Sequence, residues 1–169
     1  MPAITLYTAT TPVFNQLLGG LSACLDKAAA HCELKKIDQS VLVNDRLIAD
    51  MLPFSKQIQI ACDQARGGMA RLAGVDVPKA EDTETTLAHL KTRIETTLAF
   101  VNSITAAQLS GAEDREVILQ MRAGPTTFKG LNYIMHFVLP NFYFHVTTAY
   151  NILRHNGVDI GKRDYLGKY

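Results

Sequence analysis

The chain has 169 residues, 47% of them hydrophobic and 20% charged, with a formal net charge of +1. That length suits one domain with its own core, and the charge balance gives no case for nucleic acid or an anionic membrane surface as the main partner. No apolar run reaches the roughly 20 residues that span a bilayer, and MPAITLYTATTP lacks the basic-then-apolar order of a secretory signal, so a cytoplasmic protein is expected.

The first helix is expected to open at Thr11-Pro12, with threonine as cap and proline at the first helical position. Val13, Leu17, Leu21 and Leu25 then recur every fourth residue. Gly19-Gly20 interrupts this run, either to admit a close neighbour or as a local kink. Three cysteines, Cys24, Cys32 and Cys62, cannot all pair and form no CxxC, so buried free thiols are expected.

The second helix shows the clearest stripe: Leu47, Met51, Phe54, Ile58, Ala61, Ala65, Gly68 and Leu72. Asn44 or Asp45 is its expected cap, Pro53 its expected kink, and Gly74 with Pro78 its end. The third helix follows, with Asp82 as cap and Leu87, Leu90, Ile94, Leu98, Val101 and Ile104 on its core side. Thr92, Arg93, Glu95 and Thr96 read as its solvated face. From Glu116 to Arg122 the period changes, and a short β-hairpin turning at Gly124-Pro125 is expected. The fourth helix runs from about Leu131 to His155, kinked or interrupted at Pro140 and stopped at Gly157. Four amphipathic segments with inward stripes make an all-α four-helix bundle, one domain over residues 1–169 with a short packed tail.

On the fourth helix, Val138, Asn141, Phe142, His145, Thr148, Ala149 and Ile152 share a face, and three of these are polar: Asn141, His145 and Thr148. On the second, the spacing turns Asp50 toward the core side, with Gln57 seven residues further on. An Asp50–His145 meeting inside the bundle is the sharp reading, since bundle interiors build sites from facing side chains. The plain readings stand beside it. His145 is a satisfied boundary residue, Asp50 bonds backbone loosened by Pro53, or the two form a static pair with no chemistry. His136 lies on another face of a regular helix, and His31 and His89 read as solvent-exposed. His155 suits the negative end of its helix.

At these residues the chain resembles the DinB/YfiT-like superfamily of bacterial four-helix bundles. The last helix of that group reads H-x-x-x-H-x-G-Q, followed by L-R-x-x-G; His145 and Leu153-Arg154-His155-Asn156-Gly157 reproduce its second histidine and its end. Within the superfamily the chain is most similar to an uncharacterised family, domain-of-unknown-function family 1993. The likeness runs through RLIADMLPFSKQIQIACDQA (46–65), EDTETTLAHLKTRI (81–94) and LPNFYFHVTTAYNILRHNGVDIGKRDYLG (139–167). The superfamily resemblance implies a metal site and, in several relatives, thiol-dependent transfer or isomerisation. Here the first histidine falls on Asn141, the glutamine on Thr148, and the second-helix ligand near Asp50, Met51 or Pro53.

Three protein ligands are usual for catalytic zinc, and one imidazole, one carboxylate and one amide make a weak set. The expectation is therefore a degenerate metal site and no cofactor, with a small molecule or partner bound at Asp50, Asn141, His145 and Thr148. One alternative is a divalent metal on His145, Asp50 and Asn141, serving a thiol-linked transferase or isomerase. Another is a structural or stress-associated homodimer.

Overall fold

The computed structural model describes residues 4–168. In chain order it contains α1 (Leu6–Lys35), α2 (Gln39–Asn44), α3 (Phe54–Ala73), α4 (Leu87–Ser103), β1 (Glu116–Met121), β2 (Gly124–Lys129), α5 (Gly130–Tyr133), α6 (Leu139–His155) and α7 (Lys162–Leu166). One turn of π-helix, Ile134–Val138, joins α5 to α6. The long helices α1, α3, α4 and α6 form the expected four-helix bundle, and the hairpin stands before the last of them. Phe14, Leu18, Phe54, Ile58, Leu90 and Phe142 are among the side chains sealed inside it. No described helix is long and apolar enough to cross a membrane.

Helix α1 begins earlier than Thr11-Pro12. Thr5 and Thr8 form a reciprocal cap, the Thr8 N–H donating to Thr5 Oγ1 at 3.2 Å and the Thr5 N–H to Thr8 Oγ1 at 2.9 Å. Pro12 therefore sits inside the helix, where a proline costs about 3 kcal/mol. Burial of Leu6, Phe14, Leu17 and Leu18 offsets that cost.

Helix α3 shows the opposite error. It starts at Phe54 with Pro53 as its cap residue, so the proline initiates the helix and kinks nothing. Residues 45–53 form a loop instead of a first helical turn, and Leu47 is exposed there. The Phe54 N–H donates to Asp45 O at 2.8 Å, and Asn156 Nδ2, just past the end of α6, donates to Asp45 Oδ2 at 2.6 Å. At Gly68 an added Cβ would lie 2.9 Å from Val138 Cγ1, so the bare glycine lets the π-turn sit against α3.

Thr86, rather than Asp82, caps α4, accepting from the His89 N–H at 3.1 Å. In the hairpin Met121 pairs with Gly124, so the turn is Arg122-Ala123, and Gly124-Pro125 lie in the strand. Pro125 is tolerated because both strands of a two-stranded sheet are edges. The irregularity near Pro140 falls just before it: the Leu139 N–H reaches back five residues to Ile134 O.

Gly157 ends α6 at φ +80°, with its N–H on Arg154 O at 3.0 Å and the Val158 N–H on Leu153 O at 3.1 Å. The tail then returns to α1. Lys27 Nζ pairs with Asp164 Oδ1 at 2.8 Å, and Gln16 Nε2 donates to Leu166 O at 2.8 Å. All three cysteines are free and buried; burial pushes the Cys24 thiol up to about 11 and that of Cys62 up to about 12.

Candidate functional site

The polar row of α6 divides by what each side chain bonds. Thr148 is buried, and its Oγ1 donates to Phe144 O, one turn back, at 2.7 Å. Asn141 Nδ2 donates to Phe137 O at 2.6 Å, inside the π-turn. Both serve the helix that carries them. His145 alone reaches across the bundle.

Its partner is Gln57 on the first turn of α3. Gln57 Oε1 lies 2.7 Å from His145 Nδ1, while Gln57 Nε2 donates to Leu52 O at 2.8 Å. Because the amide nitrogen is committed to a carbonyl, the amide oxygen faces the ring. Nδ1 therefore carries the hydrogen, and Nε2 keeps its lone pair. Burial pushes the His145 pKa below its ordinary 6.5, which keeps the imidazole neutral at pH 7. Beside it, the half-exposed Phe144 ring stands edge-on at 5.2 Å between centroids. Ile48 and Leu52, on the loop that Gln57 and Asn156 tie down, are also exposed. The result is an imidazole acceptor beside the uncovered Phe144 ring, with the Leu52 backbone joined to it through Gln57.

Asp50 does not take part in this arrangement. The α-helical spacing that turned it inward is absent, because residues 45–53 are loop, and its side chain is exposed to solvent. Gln57 fills the position opposite His145 that Asp50 was expected to fill. His136, His89 and His155 are likewise exposed, and His31 is partly buried.

These donors do not fit a transition metal. Among the described residues, no group of three or more His, Cys, Asp or Glu side chains could hold a metal ion. Around His145 the other polar groups are amides, one bonded to Leu52 and to the ring and the other to Phe137. Borderline-soft metals want imidazole, thiolate or carboxylate.

A second polar cluster, which the sequence reading assigned to solvent, is centred on Arg93 of α4. Its side chain is only 3% exposed and reaches Asp63 Oδ1 at 2.9 Å, Asp82 Oδ1 at 3.0 Å and Glu84 Oε1 at 2.9 Å. The loop between α3 and α4 folds back and supplies Asp82 and Glu84. Burial works against the Glu84 carboxylate, but hydrogen bonds from Arg93 and Gln59 outweigh it and hold its pKa below the ordinary value. Asp82 is lowered in the same way, by Lys56 and Arg93 against burial. Each partner of Arg93 is satisfied by a cation, so the cluster reads as a clamp between α3, α4 and their loop.

Two comparisons bear on this geometry. The family described as "Domain of unknown function (DUF1993)" matches residues 6–166. The chain is also similar to a crystal structure of a DinB family member protein from Shewanella denitrificans, at 44% identity and TM-score 0.91, covering 97% of this chain and 93% of that one. No curated protein matches.

Proposed function

The chain belongs to the DUF1993 family, a family of unknown function with a DinB-like fold, and on that premise we propose that it is a binding protein whose metal position is degenerate. The single observation that supports this is the 2.7 Å bond between Gln57 and His145. An amide fixed at both ends holds the ring in one tautomer, and its neutral oxygen is a poor ligand for a borderline-soft metal. The proposed ligand is a small molecule with an N–H or O–H donor for His145 Nε2 and an apolar body for Phe144, Ile48 and Leu52. Asn141 and Thr148 keep the helix in shape behind it. The buried, unpaired thiols favour a reducing, cytoplasmic setting.

The test is metal analysis of protein purified without an affinity tag, combined with a ligand screen by thermal shift on wild type and His145→Ala. The expected result is no stoichiometric zinc, nickel or manganese, and a ligand-induced shift that His145→Ala abolishes. Stoichiometric metal lost on His145→Ala would replace this reading with the metal-dependent, thiol-linked enzyme. A homodimer through α6 is a second reading, favoured by the exposed Tyr143 and Phe144 on that helix. Sedimentation of wild type and Phe144→Ser checks it, a fall from dimer to monomer being the expected outcome.

A further inference from the structure

Away from His145, the side of α3 and the loop that follows it border an open cleft of about 470 Å³. We propose that this cleft binds a small molecule through an oxyanion, carboxylate or phosphate, held between the guanidinium groups of Arg66 and Arg71 and the ammonium group of Lys79.

Arg71 has a seat made for it. Gly67, four residues earlier, carries no side chain, and a Cβ there would collide with Arg71 Nη1. The guanidinium therefore lies over the bare helix turn, with Nη1 donating to Tyr133 Oη at 3.2 Å. Its Nη2 and Nε have no protein acceptor among the described residues. Arg66 lines the same cleft with a side chain only 9% exposed and one bond, Nη2 to Asp63 Oδ1 at 2.6 Å. The buried Nε of Arg66 meets no acceptor. A permanently charged guanidinium is thus largely buried beside the cleft with one carboxylate bond and a buried Nε that no acceptor meets.

The carboxylates in the lining do not cancel this charge. Asp63 is shared between Arg66 and Arg93, and Glu81, the other acid there, is exposed and makes no ion pair among the described residues. Three cations face these two anions, one of them already divided. Planar guanidinium forks match the oxygens of a carboxylate or phosphate, and Val77 and Pro78 give an apolar body a wall. The volume lies in the range of small-molecule sites.

The experiment is isothermal titration of the full chain with inorganic phosphate and with succinate, at constant ionic strength and with chloride as the reference anion. Arg71→Gln removes a guanidinium, and Lys79→Gln removes an exposed charge at the rim. Gly67→Ala keeps every charge but pushes Arg71 off its seat, and it exchanges a helix-interior glycine for a better helix former. The expected result is saturable binding of phosphate or succinate, weakened about tenfold or more by Arg71→Gln and by Gly67→Ala, with Gly67→Ala melting no lower than wild type. Lys79→Gln weakens it in the same direction. Whichever anion binds identifies the source of the oxyanion. His145→Ala leaves this binding unchanged, which keeps the test separate from that of the His145 surface. Failure of both anions to saturate, or equal binding by wild type, Arg71→Gln and Gly67→Ala, overturns the proposal.

Discussion

His145 and Gln57 are joined by one hydrogen bond, Nδ1 to Oε1 at 2.7 Å, and that bond fixes the tautomer of the imidazole and leaves Nε2 as an acceptor. Its pKa is lowered by burial. The unfolded chain therefore takes up the proton first as the solution is acidified. The stabilisation is complete above the ordinary value of 6.5 and is lost as pH falls through the depressed folded value. Urea unfolding at about pH 7.5 and about pH 5.5 measures this, and His145→Gln loses less stability between the two than wild type does. Gln57→Glu sets a carboxylate against Nδ1 and reverses the sign. Its His145 titrates above the wild-type value, as ring-proton NMR reports.

The same pair sets what it would take to restore metal binding. Gln57→His with Asn141→His places two further imidazoles near His145, one across the bundle and one a turn earlier on α6. Three nitrogen donors are the minimum set that catalytic zinc uses. Calorimetric titration with zinc is expected to show no saturable uptake by wild type and one equivalent by the double variant. Asn141→His alone also frees Phe137 O from its side-chain bond, so a small loss of stability accompanies it.

Among the described residues, Arg93 makes three ion pairs, more than any other side chain. Arg93→Met removes the cation from among Asp63, Asp82 and Glu84 and leaves the mostly buried Glu84 without it. Breaking a buried pair from one side costs about 3–5 kcal/mol, and the lower end applies here because Asp63 and Asp82 keep 44% and 38% exposure and water replaces part of the loss. Adding Glu84→Gln recovers part of it. Since Glu84 and Asp82 both titrate low in the folded protein, their stabilisation is present above the ordinary 4.5 and 3.8 and is lost as pH falls through the folded values. Arg93→Met flattens that acid limb, which denaturant midpoints recorded from neutral to about pH 3 resolve.

The apolar stripes made the bundle legible, and the prolines misplaced its joints. Pro12 fits a first helical position by pattern, yet the Thr5–Thr8 cap two turns earlier takes precedence. Pro53 fits a kink by pattern, yet the chain uses it to begin α3. That second difference moved the site: with Asp50 in a loop, the residue opposite His145 became Gln57, legible as a first-turn residue once Pro53 is read as a start signal. Arg93 was lost to periodicity, which ranks charged residues as outward-facing. The signal for it was the pair of carboxylates Asp82 and Glu84 just before α4, which call for a cation from a neighbouring element. Asn141 and Thr148 stand out in an apolar row, but each turns back to a carbonyl of its own helical run, which periodicity does not encode.

The adjacent glycines of α1 give a final test with its own control. An added Cβ at Gly20 lies 2.8 Å from Asp164 O and 2.9 Å from Tyr165 O, both backbone atoms, so nothing flexible yields. A Cβ added at Gly19 meets no neighbouring element within 4 Å, and the residue is exposed. Gly20→Ala therefore lifts the tail off α1, disturbs the Lys27–Asp164 pair and the 3.0 Å bond between Thr147 and Tyr165, and costs about 1–3 kcal/mol as an overpacked contact. Gly19→Ala exchanges a helix-interior glycine for alanine with no neighbour to disturb and gains about 0.5–1 kcal/mol. Amide hydrogen exchange across residues 158–168 distinguishes them: faster exchange in Gly20→Ala, and unchanged protection with a higher melting temperature in Gly19→Ala. If both variants leave the tail equally protected, the close approach at Gly20 is not what holds it.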